Sequence, residues 1–430
     1  MTRLARFLCA LAVVMIAAAA QGGDAPGNDL VAKRDAFIAQ HGDLPVGEVS
    51  VHGLAKTRAS VVFDSVDLAP GAPLSRVDPE RLLQQLHAVG LFKRIDIRYA
   101  HRGDHAAVII DLEEKWTLIP IPFVFSSRSV LRYGFFVFDT NLLGYNKKLF
   151  VGAMNSRQGW NANAVYIDPM IMGSRFTGTV AGVVGNRIYE DADFDRDVYR
   201  RYRADFSSLT GTVGHEFRRT ATVSLVGRFQ HASVDPSYVD AIDAPSSEQS
   251  FATGLRLRYR DQRYHLYTSE GVRAEAEYLH GFSAGSRGAE YDQGKITAEF
   301  ARFFLTSHLV TLGVKGMRSN LPEVFQERPG GQMGYKTVPS EVVQAHCHYT
   351  AYAVYERPVY RPTWGTFTAL AFAEGGELRR EGGVTEGFYG PGAGVRLYLK
   401  SVAIPAFGFD VAYNLRQGNV EFTFAIGMQM

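Results

Sequence analysis

From Trp116 to Met430 the chain is a succession of short stretches in which apolar and polar residues alternate one by one. In the last of them, NVEFTFAIGMQM, one face carries Phe422, Phe424, Ile426, Met428 and Met430. The other carries Glu421, Thr423, Ala425, Gly427 and Gln429. A period of two marks a strand lying between two media. A continuous apolar face opposite a small or polar one is the pattern of a strand that turns one side to lipid and the other to a lumen. The texture recurs in LRYGFFVFD, KLFVGAMN, RFTGTVAGVVG, TATVSLVGRFQ, GLRLRYRD, KITAEFARFF and GVRLYLK. At roughly 18–20 residues per strand and connection, residues 116–430 accommodate an even count near sixteen. Connections such as NRIYEDADFDRDVYRRYR and SNLPEVFQERPGGQMGYKTVPSE are long and polar, whereas MGSR near residue 173 is short. A water-soluble β-sandwich is the competing arrangement, but it leaves aromatics at strand ends and long loops on one side unexplained.

The N-terminus pairs Arg3 and Arg6 with the apolar run FLCALAVVMIAAAA and small residues near Ala20, so residues 1–20 read as a cleaved signal peptide. Its removal takes away Cys9 and leaves only Cys347, which permits no intrachain disulfide. The formal charge is +2 and the leader holds two arginines, so the mature chain is near neutral and offers no electrostatic case for nucleic acid. Beyond residue 20 no stretch approaches the roughly 18 apolar residues of a membrane helix. If the chain crosses a membrane, it does so as a barrel.

Between leader and strands lies different material. Residues 21–45 are polar with a weak apolar stripe (Leu30, Val31, Phe37, Ile38), a linker or one short helix. Residues 46–115 have the order β-α-α-β-β. EVSVHG is a strand, 57–66 a helix and LAPGAPLS a loop. DPERLLQQLHAVG follows as a helix with Asp78 as N-cap, Pro79 in the first turn and Gly90 as the stop. FKRIDIRY and AAVIIDLEE close a three-stranded sheet with both helices on one face.

These residues resemble a known family. GLAKTRASVV, GAPLSRVDPERLLQQLHAVGLFKRIDIRY and VIIDLEEKW resemble a POTRA domain. DTNLLGYNKKLFVG with Asn141, Leu142, Leu143 and Gly144, YIDPMIMGSRF with Asp168 and Pro169, YRDQRYHLYTSEGVRAEAEY with Asp261 and Gly271, and GPGAGVRLYLKSVAIPAFGFDVAY with Pro405 and Asp410 resemble barrel segments of the BamA/TamA superfamily, the bacterial surface antigen proteins. The resemblance runs from about residue 46 to 430, with one POTRA-like unit. It implies a mainly β fold, a transmembrane antiparallel β-barrel preceded by a small α+β domain. It also implies a sixth extracellular loop folded into the lumen and ending in Arg-Gly-Phe/Tyr. Here the motif is Gly330, Gly331, Met333, Gly334, Tyr335 and Lys336, with methionine in the arginine position. The barrel-wall aspartate of the family corresponds to Glu374, so two arrangements are open: Lys336 and Glu374 are both solvated, or Lys336 pairs with Glu374 in place of the family's ion pair.

Two motifs point elsewhere and are weighed on context. GFSAG at 281–285 matches a nucleophile elbow, yet that device needs a strand-turn-helix setting around Ser283, and a polar turn and another strand follow. His346 and His348 share a strand face without an evident third ligand. No catalytic, cofactor-binding or metal-binding residues are assigned. The expected function is assistance to insertion or translocation of unfolded outer-membrane or secreted polypeptides, from the bacterial outer membrane with the POTRA-like unit in the periplasm. Outer-membrane lipids and periplasmic or lipoprotein accessory subunits are the further partners. The alternative is an outer-membrane transport pore or surface structural protein without assembly activity. WTLIPIPFVF reads as the first barrel strand. Residues two apart send their backbone groups to the same side, so Pro120 and Pro122 remove two donors from one edge. That edge is expected to face the last strand near Phe422 and Phe424, unless the prolines lie in the linker below.

Overall fold

The computed structural model describes residues 28–426 apart from 128–129, 196, 218–219, 266–267, 285–288, 305–306, 332–333, 340–342 and 403–406. The signal segment, Met333 and Pro405 lie outside the described residues.

The N-terminal unit opens with α1 (Asn28–His41) and β1 (Val46–His52), followed by α2 (Ala59–Ser65) and α3 (Pro79–Val89), then β2 (Phe92–Arg102) and β3 (His105–Glu114). The caps are those the sequence predicts. The Asp78 carboxylate accepts from the Glu80 and Arg81 N–H groups at 3.0 and 3.1 Å, and Gly90 ends α3 with φ +79°. The sheet order is β1-β3-β2, with β1 parallel and β2 antiparallel to β3. Leu82, Leu86, Leu91, Phe92, Ile97, Val108 and Ile110 form its core. The stripe in residues 21–45 is a helix and not a tether, and Leu30, Phe37 and Ile38 of α1 pack against that core.

Sixteen strands follow in one antiparallel sheet in chain order. They are β4 (Leu118–Ser127), β5 (Val130–Leu142), β6 (Lys147–Ser156), β7 (Gly159–Asp168), β8 (Phe176–Ala192), β9 (Val198–Phe217), β10 (Ala221–Val234) and β11 (Glu248–Tyr264). Then come β12 (Ser269–Ser283), β13 (Glu290–Phe304), β14 (His308–Ser319), β15 (Cys347–Tyr360), β16 (Gly365–Arg379), β17 (Thr385–Leu399), β18 (Phe407–Asn414) and β19 (Asn419–Ile426). The alternation sorts side chains in the inverse of a water-soluble protein. Leu225, Leu255, Leu257, Ile296, Val314 and Phe422 lie exposed on one face, while Glu277, Thr368, Glu374, Asp410 and Glu421 are buried on the other. So large an exposed apolar surface excludes the β-sandwich and suits a hydrocarbon surrounding.

The sheet curls around the connection between β14 and β15. Arg328 in that segment reaches Asp191 on β8 and Tyr202 on β9, while Glu327 reaches Lys295 on β13 and Lys336 reaches Asp410 on β18. Strands ten positions apart in the sheet order, β8 and β18, thus face one loop.

Candidate functional site

Three features converge on the inside and one end of this sheet. The first is the loop. Tyr335 is buried, its hydroxyl bonded to His348 Nδ1 and its ring stacked on Phe388 with centroids 5.1 Å apart. The turn before it needs glycine. A Cβ on Gly330 would lie 2.1 Å from the Pro339 carbonyl oxygen, and one on Gly334 1.7 Å from that of Pro329. Gly331 adopts φ +96°.

Lys336 and Glu374 do not pair with each other. The Lys336 ammonium lies 2.8 Å from Asp410 Oδ2 and 4.4 Å from the Phe372 ring centroid. Glu374 Oε1 instead accepts from the N–H and the hydroxyl of Thr337, the latter at 2.8 Å. Thr337, one residue on, thus takes one carboxylate oxygen with two donors, and Asn414 Nδ2 holds the Thr337 carbonyl at 2.9 Å. The lysine is therefore left to join Arg396, which grips Asp410 with both terminal nitrogens at 2.6 and 2.8 Å. Sequence reasoning also missed the loop's arginine anchor. Arg328 donates to Asp191 at 2.6 Å and to the Tyr202 hydroxyl at 3.2 Å, and lies over the Tyr189 ring. The signal was present as an arginine five residues before Met333, but its acceptor is 137 positions away.

The second feature is the edge. β4 and β19 end the described ladder. The Thr140 N–H donates to the Thr117 carbonyl at 3.0 Å, and β5 continues opposite β4 in that register. Odd-numbered residues thus direct their backbone groups to β5 and even-numbered ones to the free edge. Trp116 obeys the rule, its N–H crossing to the Ser401 carbonyl at 2.7 Å. Pro120 and Pro122 lie within β4 and not in a linker below it, and both belong to the even set. Two successive outward rungs therefore lack donors. Inside, Ile119 and Ile121 pack with Phe136, Phe138, Val402 and Phe407, drawing the base of β4 towards β18. On β19, Phe422 faces outward, and Phe424 follows two residues along the same strand.

The third feature is the docking of the N-terminal unit. Glu114 accepts the N–H groups of Ala55, Lys56 and Thr57 at 3.2, 3.0 and 2.8 Å. Burial pushes its carboxyl up, but the hydrogen bonds from Thr57, Lys56 and Ala55 outweigh it and hold the group below the ordinary carboxylate value. The loop so shaped meets the β5–β6 turn. Lys56 Nζ lies 2.9 Å from Asp139, Asn141 donates to the Thr57 hydroxyl at 2.8 Å, and the Arg58 N–H donates to the Gly144 carbonyl at 2.9 Å. On the other side, Gln84 of α3 accepts from the Tyr264 N–H at the end of β11 at 2.7 Å. The unit therefore touches turns six strands apart.

Ser283 ends β12, its hydroxyl donating to Glu248 and the Gln249 carbonyl, so the nucleophile-elbow setting is not built there. His348 is spent on Tyr335 and Glu327, and among the described residues no cluster of three metal-ligating side chains occurs.

No protein-family model and no curated protein matches the sequence. Solved structures do match. BamA from Haemophilus ducreyi lacking POTRA domains 1–3 aligns with a TM-score of 0.54 at 12% identity, covering 89% of this chain and 84% of that one. CdiB from Escherichia coli aligns at 0.59 with 15% identity over 90% of this chain and 74% of that one. CdiB from Acinetobacter baumannii aligns at 0.57 with 11% identity over 91% and 76%. The chain has the fold of these β-barrel proteins. The sixteen-stranded sheet is accordingly a barrel wall, with the sixth loop lodged in its lumen and the α+β unit set against its turns.

Proposed function

We propose that this chain is an outer-membrane barrel that assists insertion or translocation of other polypeptides, with its POTRA-like unit in the periplasm. The observation that carries the reading is the edge of β4. A seam short of two hydrogen bonds, each worth about 0.5–1.5 kcal/mol net, is the easiest place for the wall to part. A client strand that adds itself to the opened edge keeps its backbone groups paired while it passes sideways into lipid. The POTRA-like unit supports the same chemistry upstream, because β1 and β2 are both edges of its sheet. Recognition through main-chain hydrogen bonds is largely indifferent to client sequence. Unfolded outer-membrane or secreted polypeptides are thus the partners, along with outer-membrane lipids and periplasmic or lipoprotein accessory subunits. A transport pore is the weaker reading, since Arg328, Tyr335, Lys336 and Thr337 of the β14–β15 connection pack against the inner face of the wall.

The test is a cross-link. Cysteine pairs spanning the two edge strands, beginning with Pro122 and Phe422 and extending to Phe123 and Phe424, are introduced with Cys347 replaced by serine. Oxidation is expected to stop client insertion into liposomes and reduction to restore it. Insertion that proceeds at the same rate with the seam locked would refute the proposal.

A further inference from the structure

Three successive inward positions of β11 carry arginine, and their cross-strand partners on β12 leave one of them uncompensated. Arg256 stands opposite Glu277, Arg258 opposite Glu275, and Arg260 opposite Arg273. The first two rungs are closed ion pairs, at 2.5 and 2.9 Å. At the third, Arg273 turns to its other neighbour, Glu299 on β13, at 2.5 Å, and Glu299 also accepts from the Tyr352 hydroxyl. The acid that acts on Arg260 is Glu275, which Arg258 already holds. Like charges directly opposite on one face are destabilising. A third cation joins them, because Lys148, inward-facing on β6, feels the charge of Arg260 from another part of the wall. Among the described residues neither Lys148 nor Arg260 has an ion-pair partner.

The geometry points to an anion-binding site formed by Lys148, Arg260 and Arg273, which takes the carboxylates of an extended acidic polypeptide segment entering from the docked POTRA-like unit. The polypeptide nature of this ligand rests on the function proposed above. The site lies at the right end of the barrel. Tyr264, which bonds to Gln84 of the docked unit, is four residues beyond Arg260 on the same strand, and Lys148 follows the β5–β6 turn that docks on residues 56–58. Arg260 is exposed to the lumen, leaving room for a ligand. Its guanidinium fork matches a carboxylate in two-point geometry, where lysine supplies a point charge. The spacing favours a chain over a small ion. Arg260, Arg258 and Arg256 recur every second residue, about 6.6–6.8 Å apart, the same repeat as the side chains on one face of an extended peptide. An acidic segment lying along β11 therefore finds its uncompensated cation at Arg260, because Arg258 and Arg256 are already closed on Glu275 and Glu277.

A fluorescent peptide with aspartate at alternate positions, and its asparagine isostere, are titrated into the purified full-length protein in detergent at low salt, with anisotropy as readout. The acidic peptide is expected to bind at least about tenfold more tightly, with the preference falling as salt rises. K148Q/R260Q should abolish the preference while keeping the folded barrel, since it removes a repulsion. R302Q, a cation on the opposite face of β13 from Glu299, should leave the preference intact. Equal binding of the two peptides, a preference that survives K148Q/R260Q, or full displacement by inorganic phosphate at matched anion concentration would each overturn the proposal. A client-insertion assay run alongside separates the two readings. Selective peptide binding without insertion removes the function and keeps the site, whereas insertion without selectivity removes the site alone.

Discussion

Asp410 is gripped by two cations of unequal importance, Arg396 within the wall and Lys336 from the lumenal loop, and the inequality is measurable. The aspartate is 2% exposed and accepts three charged hydrogen bonds, two from Arg396 and one from Lys336. Replacing Lys336 with methionine leaves the carboxylate gripped by the guanidinium fork and keeps an apolar stem on Phe372, so the loss should be about 1–2 kcal/mol. Replacing Asp410 with asparagine leaves the buried Arg396 and the half-buried Lys336 facing each other without a counter-charge, and removing one partner of a buried pair costs about 3–5 kcal/mol. The double variant K336M/D410N removes one orphaned cation and should be more stable than D410N alone, a coupling of about 0.5–3 kcal/mol. Thermal unfolding in detergent micelles, followed by loss of the compact band on cold gels and by tryptophan fluorescence, gives the three values. K336M as harmful as D410N, or a double variant showing the sum of the two losses, would refute the assignment of Asp410 as the shared anchor.

Three further outcomes are expected. Leu86 is fully buried in the N-terminal core, so L86A should cost a fragment of residues 28–115 about 2–5 kcal/mol in chemical denaturation. Glu114 has a depressed folded-state pKa, so its contribution is present above the ordinary carboxylate value and is lost as pH falls through the folded one. The same fragment should destabilise on acidification below about pH 4.3, with E114Q flattening that part of the pH profile. Gly144 adopts φ +80° and a Cβ there would lie 2.2 Å from the Lys56 carbonyl oxygen, so G144A should undock the N-terminal unit and speed proteolysis of residues 55–58 while leaving barrel heat stability unchanged.

What the sequence determined by itself is what depends on neighbours in the chain. Strand alternation reports the two media on either side of a wall, so the outward Phe422 and the inward Glu421 were legible from a period of two. Asp78 and Gly90 were legible because a helix end leaves backbone groups that only certain residues satisfy. The proline pair could be placed on one edge by parity alone, since backbone groups on a strand alternate as strictly as side chains. The partners across the lumen were not legible. The Lys336–Asp410 pair and the Arg328–Asp191 anchor were not anticipated, because both depend on how far the sheet curls and which rungs face the loop. The excess cation at Arg260 emerges only once register sets it opposite Arg273 and not beside a glutamate. Local chemistry repeats with the chain and can be read along it, whereas register and curvature are collective properties of sixteen strands. Only the tertiary structure decides which distant charges meet.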